Sequence, residues 1–365
     1  MTLPIDRISL HYKKVSDVNY TITKSLRRMG ATTSEIAIGL VVAMVLLGVV
    51  GTFALVHQNE TGTANRFGYD IEEYKQVDPK LIGYEPVATV DAQLKEPRAI
   101  AVGSDDLLYV VGDLNVVVLD PDGRMVANIG VSERPLCVDV AEDGAIFVGF
   151  RSRVGVFDRK GARLSLWDVP GDRTLLTAIA LDGNDLFLAD AGNKFVWHYD
   201  FTGKLIGKIG EKGGARENLQ TLFVVPSPFF DLAIGPDGLL RVANSGRHRV
   251  EVFTKSGCVV SSWGRPSLAI EGFCGCCNPV NISSLSDGFV TVEKGIPRIK
   301  VYDADGRFRS VVADTKTLVE TIQSREEPKS QKQSVFDVAV DRLDRILVLD
   351  PGSKKVTVFV KKKKG

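Results

Sequence analysis

The chain has 365 residues, 44% of them hydrophobic and 25% charged, a balance that supports a packed core and excludes a disordered or low-complexity chain. Its 46 basic and 45 acidic residues leave a formal charge of +1, so no global field argues for nucleic acid, and any basic surface must be local.

Residues 1–35 mix charges with Ser and Thr without a sustained period and read as a short cytoplasmic tail. Ile36 to Val56 follows, 21 residues without a charge. At about 1.5 Å per residue such a run crosses roughly 30 Å of hydrocarbon, so one transmembrane helix is predicted over 36–56. Lys13, Lys14, Lys24, Arg27 and Arg28 precede it, whereas Arg66 and Lys75 stand among Glu60, Asp70, Glu72 and Glu73 after it. That asymmetry places the N-terminus in the cytoplasm and the rest of the chain on the extracytoplasmic, periplasmic side of the inner membrane. A cleaved signal peptide is the rival reading. The basic region is too long for one, and Thr52-Phe53-Ala54 makes a poor cleavage site. Residues 57–83 are polar, with Gly, Asn and Asp, as a linker would be.

From residue 84 to the end the sequence repeats itself. Copies at about 97–130, 135–168, 174–210, 228–264 and 278–313 each carry an alternating apolar strand, a polar turn, a second strand, a loop, a third apolar strand (V-x-V in the first, second and fourth) and a Gly turn. Gly123, Gly161, Gly203, Gly257 and Gly306 mark those turns. The sixth copy, 335–360, stops after its third strand. A missing fourth strand leaves an open sheet edge, which the segment 86–91 (PVATVD) is expected to close. The expected fold is therefore all-β, a six-bladed β-propeller preceded by one transmembrane helix.

Val242-Ala243-Asn244-Ser245-Gly246-Arg247-His248-Arg249-Val250, followed by Val252-Phe253 and the Gly257 turn, resembles the NHL-repeat family of six-bladed propellers. The likeness covers about residues 86–360. It implies the fold and leaves activity open, because such propellers host binding, signalling and enzymatic roles alike.

The first residues of the innermost strands, Ala99, Cys137, Ala178, Asp231, Asn281 and Asp337, are expected to line the central channel. Asp231, Asn281 and Asp337 there either hold neighbouring strands and trapped water or form a ligand or metal site. Loops between second and third strands share one face with the blade-to-blade connections. That face gathers Arg151, Arg153, Lys194, Arg247, His248, Arg249, Lys294, Arg298, Lys354 and Lys355 among Asp113, Asp190, Glu293 and Asp350. It reads as a solvated charged rim or as a site for carboxylates or phosphates. Aromatic residues are few in these loops, which argues against RNA.

Cys274, Cys276 and Cys277 lie in the connection after the fourth copy, and Cys258 precedes them. Their spacing fits no zinc knuckle, thioredoxin-like pair or haem attachment. Three readings remain: a disulfide staple, a metal or iron–sulfur site using all four thiols, and a redox-active Cys276–Cys277 pair. Asp314 to Gln333 reads as a charged, mobile insertion and Lys361 to Lys364 as a solvated basic tail. The leading expectation is a membrane-anchored binding module, a sensor or scaffold subunit of an envelope complex that engages a protein partner or small anionic ligand. The alternative is a metal- or thiol-dependent redox protein, or a lyase- or hydrolase-type enzyme, using the channel mouth or the cysteine loop. No phosphate loop, nucleophile elbow or HExxH helix supports hydrolysis.

Overall fold

The computed structural model describes residues 38, 41–48, 52, 72–210, 223–320 and 335–363. The chain divides into two units, Met1–Asp70 and Ile71–Gly365. In the first, residues 38, 41–48 and 52 are helical. Ile38, Val41, Val42, Met44, Val45, Leu46 and Leu47 are all exposed. Most of the expected span over 36–56, the tail over 1–35 and residues 57–71 of the linker expected over 57–83 lie outside the described residues, while Glu72–Lys75 and Pro79–Leu81 of that linker are short helical turns. Among the described residues no helix is long and apolar enough to cross a membrane.

The second unit is a six-bladed β-propeller of four-stranded antiparallel sheets. Blade one holds β2 (Pro97–Val102), β3 (Leu108–Gly112), β4 (Asn115–Leu119) and β5 (Met125–Gly130). Blade two holds β6 (Cys137–Val140), β7 (Ile146–Gly149), β8 (Arg153–Phe157) and β9 (Arg163–Asp168), and blade three β10 (Leu176–Asp182), β11 (Asp185–Asp190), β12 (Phe195–Asp200) and β13 (Leu205–Ile209). Blade four holds β14 (Leu232–Ile234), β15 (Leu240–Asn244), β16 (Arg249–Phe253) and β17 (Val259–Trp263), and blade five β18 (Asn281–Leu285), β19 (Gly288–Glu293), β20 (Arg298–Asp303) and β21 (Phe308–Ala313). Blade six combines β22 (Asp337–Val340), β23 (Ile346–Asp350) and β24 (Lys355–Lys361) with β1 (Tyr84–Asp91) from the other end of the unit.

β1 pairs with β24 from Tyr84↔Lys361 to Asp91↔Lys355, so the edge left by the sixth copy is covered. Lys361 is thus a strand residue and not part of a free tail. Of the charged insertion, Thr315–Glu320 forms a short helix and residues 321–334 lie outside the described residues.

The core consists of six apolar layers, one between each pair of neighbouring blades. Twofold alternation explains this, because a strand inside a blade packs one face on the preceding blade and the other on the next. The turn between third and fourth strands repeats for a local reason. Asp120 Oδ1 accepts from the N–H of Asp122 (3.0 Å) and of Arg124 (2.8 Å), and Asp158, Asp200 and Asp303 do likewise. The glycine that follows, Gly123, Gly161, Gly203, Gly257 or Gly306, has φ between 78° and 87°. It also lies on the outermost strand of the preceding blade, where a Cβ on Gly203 would come 2.9 Å from the Trp167 ring. Val90, Ile129, Ile209 and Trp263 fill the corresponding place under the other four.

Candidate functional site

The innermost strands β2, β6, β10, β14, β18 and β22 neighbour one another around the ring and present a free edge of N–H groups to the channel. Polar side chains at the joints take up those donors and acceptors. Asp337 Oδ2 accepts the Ile100 N–H at 2.8 Å, and Asp231 Oδ2 accepts the Ile282 N–H at 2.7 Å. Asn281 Nδ2 donates to the Phe336 carbonyl at 2.6 Å. Two further members were not singled out from the sequence. Asp139 accepts the Leu181 N–H at 3.0 Å, and Thr177 Oγ1 donates to the Phe230 carbonyl.

Burial carries the Asp139 carboxyl up to about 7 and that of Asp337 to about 6. Burial, then the charge of Asp337, holds Asp231 well above the ordinary carboxylate range. The same environment pushes the Cys137 thiol up, with Asp231 and Asp337 adding to burial. These groups join blades, and their lone pairs are engaged by backbone. Among the described residues no three His, Cys, Asp or Glu side chains gather to hold a metal ion.

The loop face divides into two populations. At the end of the second strand in blades one, three, four and five an acid or amide clamps the incoming connection: Asp190 accepts from Leu175 N, Asn244 from Val224 N, and Glu293 from Cys274 N at 2.8 Å. Asp113 does the same for Lys95 and Glu96. Glu293 is one methylene longer than Asp, and its carboxylate also meets Arg298 Nε at 2.7 Å and Lys300 Nζ at 3.1 Å. All three side chains are no more than 1% exposed. Glu293 and Arg298, expected as surface ligands, are therefore a buried charge cluster. The cations reach on to loop carbonyls, Arg298 to Leu268 at 3.2 Å and Lys300 to Ile270 at 3.0 Å, so the cluster pins the connection between β17 and β18. Burial lowers Lys300 to about 8 despite the pull of Glu293.

His248 adopts a left-handed backbone (φ 54°), and its Nδ1 is buried without a hydrogen-bond partner. Burial lowers its pKa, against the opposing charge of Glu293. Arg249 pairs with the buried Glu251 at 3.0 Å, and Arg153 with Glu133 and Asp168 at 2.8 Å each. The second population, Arg151, Lys194, Lys354 and Lys355, is exposed.

All five cysteines are free, so the expected disulfide staple is not formed. Hydrogen bonds hold the loop in its stead: Asn278 Nδ2 donates to the Cys274 and Lys294 carbonyls (2.6 and 2.9 Å), and Lys294 N donates back to Asn278 Oδ1 at 2.9 Å. Among the described residues the four thiols do not gather into a metal site. Cys258 ends the β16–β17 hairpin, where its N–H bonds Thr254 Oγ1. The five residues of β17 then separate it from Cys274 by about 16 Å at roughly 3.3 Å per residue. Cys276 and Cys277 are brought together, Sγ to Sγ at 3.1 Å. Ser227 and Lys294 stand beside Cys277, contributed by the connection before β14 and the loop after β19.

Two clefts lie elsewhere, one of about 210 Å³ lined by Val131, Phe150 and Arg163 among others, and one of about 300 Å³ near Tyr84, Asp287 and Asp344. Neither includes a candidate ligand, channel or cysteine residue named from the sequence.

No family model matches the chain, and no curated protein does. Solved structures do. A streptogramin B lyase is 13% identical at a TM-score of 0.51, covering 78% of this chain and 100% of that one. Virginiamycin B lyase from Staphylococcus aureus is 11% identical at 0.51, covering 76% and 100%. A catalytically inactive form of that lyase with quinupristin is 13% identical at 0.50, covering 73% and 80%. At these identities the likeness establishes the six-bladed propeller fold alone.

Proposed function

We propose that this chain is a membrane-anchored, NHL-like propeller that acts by binding, as a sensor or scaffold subunit of an envelope complex. The apolar run over 36–56 is its anchor, with the N-terminus cytoplasmic and the propeller extracytoplasmic. The loop face receives carboxylate or phosphate groups of a partner. One observation carries the reading: Arg151, Lys194, Lys354 and Lys355 are exposed on that face with no carboxylate partner among the described residues, whereas the inner acids are spent on blade joints. Lys194 and Lys354 also share the left-handed backbone of His248, so second-to-third-strand loops of different blades present cations in one conformation.

The test uses full-length protein in detergent and a poly-glutamate peptide as probe. Reversing Arg151→Glu, Lys194→Glu and Lys354→Glu together is expected to weaken binding at least ten-fold, about 1.4 kcal/mol. Undiminished binding by the triple variant overturns the assignment of this face. Alkaline phosphatase fused after Gly365 should be active; an inactive fusion removes the extracytoplasmic placement.

A further inference from the structure

The junction of blades four and five holds a group that a binding role leaves unused. The sulfurs of Cys276 and Cys277 are 3.1 Å apart, with Cys276 exposed and Cys277 buried. Ser227 Oγ donates to Cys277 Sγ at 3.2 Å, and Lys294 Nζ lies 3.3 Å from Ser227 Oγ and 4.6 Å from the centre of the Phe229 ring. The groups come from three separate segments. Asn278 fixes two of them to each other through its bonds to Cys274 and Lys294.

The electrostatics agree with that geometry. Burial alone would raise Cys277, but hydrogen bonds from Ser227, Lys294 and Cys276 carry it below the ordinary thiol value. Cys276 is raised, first by its hydrogen bond with Cys277 and then by burial. Of the two sulfurs, Cys277 is therefore the one that gives up its proton more readily. Cys137 and Cys274 differ: both are buried and pushed up, Cys274 by burial and then by Glu293. Because the thiolate is the nucleophile in exchange, the pair is set apart from both of these buried thiols.

We propose that Cys276 and Cys277 are a dithiol–disulfide site that reduces an accessible disulfide, R–S–S–R′, of a peptide or protein. From the dithiol, Cys276 gives its proton to water and its thiolate attacks one substrate sulfur, forming Cys276–S–S–R and expelling R′S⁻. That thiolate takes the proton from Cys277. The Cys277 thiolate then attacks the Cys276 sulfur, closing the Cys276–Cys277 bond and expelling RS⁻, which takes a proton from water. One S–S bond is broken and one formed, and two electrons pass from the dithiol to the substrate. Exposure of Cys276 alone suffices for the first attack, and the 3.1 Å contact places the resolving sulfur beside it. This inference does not rest on the anion-binding reading of the loop face.

The test takes the reduced full-length chain carrying Cys258→Ser, which silences the exposed turn thiol, treats it with oxidised glutathione and follows the Cys276–Cys277 peptide by mass. The expected product is lighter by two hydrogens and retains no glutathione. Cys277→Ser should keep glutathione on Cys276 as a stable mixed disulfide, and Cys276→Ser should leave Cys277 unmodified. Lys294→Gln should slow ring closure by roughly three-fold for each unit by which the Cys277 pKa rises, the net of thiolate loss and gained nucleophilicity. A stable mixed disulfide on the Cys258→Ser chain, or two thiols still alkylatable after oxidation, overturns the proposal.

Discussion

Asp231, partly buried at the channel, and Glu293, fully buried, are acids near the junction of blades four and five that the protein compensates in opposite ways. Asp231 has no cation beside it among the described residues. It accepts the N–H of Leu232 and that of Ile282 across the joint, and holds its proton to a pH where an ordinary carboxylate has lost it. Glu293 meets Arg298 and Lys300 with essentially no solvent, and the three together carry the loop that bears the cysteines. The first arrangement seals a seam between blades and uses backbone donors that the free edge of β18 would otherwise leave unpaired. The second is a charged post driven into a loop. A buried charge neutralised by countercharges is far less tolerant of losing one member than a protonatable acid held by amides.

The largest expected effect is therefore at Glu293. Glu293→Ala leaves Arg298 and Lys300 buried without an anion and is expected to cost about 3–5 kcal/mol in urea denaturation. It should also expose Cys274, now 3% exposed, to alkylation. A loss under about 1 kcal/mol would mean the cluster is not the post inferred here. Asp231→Ala should cost less, about 1–3 kcal/mol, from the orphaned Ile282 N–H, and Asp231→Asn less again because the amide oxygen still accepts. If Asp231→Ala proved the costlier change, the contrast between the two acids would be reversed.

The last effect is read on titration, as a slope of no more than about 1.4 kcal/mol per pH unit for a one-proton difference. The folded chain keeps the Asp139 proton up to about 7, against an ordinary 3.8. The stability this group contributes is complete below 3.8 and is lost as pH rises through about 7. Lys300 has the other sign. Its folded value of about 8 lies below the ordinary 10.5, so its contribution is present above 10.5 and lost as pH falls through 8. Asp139→Asn should flatten the acid limb and Lys300→Met the alkaline one, each measured by denaturation midpoint against pH. An acid limb unchanged by Asp139→Asn would place the titration elsewhere.

The six blades could be read from the sequence because five copies repeat the same Gly turn just after an apolar third strand and the sixth repeats the three strands before it. The site was less legible. Glu293 and Arg298 stood in loops that count as surface, and only packing reveals that the β17–β18 connection covers them. A signal for Lys300 did exist: it occupies the third column of the third strand, where blades one and three have Val117 and Trp197, and a lysine sandwiched there requires an anion. Asp139 lies two residues past the column that was compared along the inner strands. Cys258 is near the loop cysteines in sequence, but the extended β17 carries the chain away from it. Ser227 could not be found at all, since it meets Cys277 across 50 residues of chain.

The pairing of β1 with β24 leaves Tyr84 opposite Lys361, and the Lys362 N–H bonds the Gly83 carbonyl at 2.9 Å. The two ends of the ring thus lie about one strand spacing apart, roughly 4.8 Å. A turn of a few residues could join them into the one hairpin the blade order lacks. The ring would then be a closed chain that can be opened at another hairpin, and circular permutation should preserve the propeller while moving its point of attachment to a different blade.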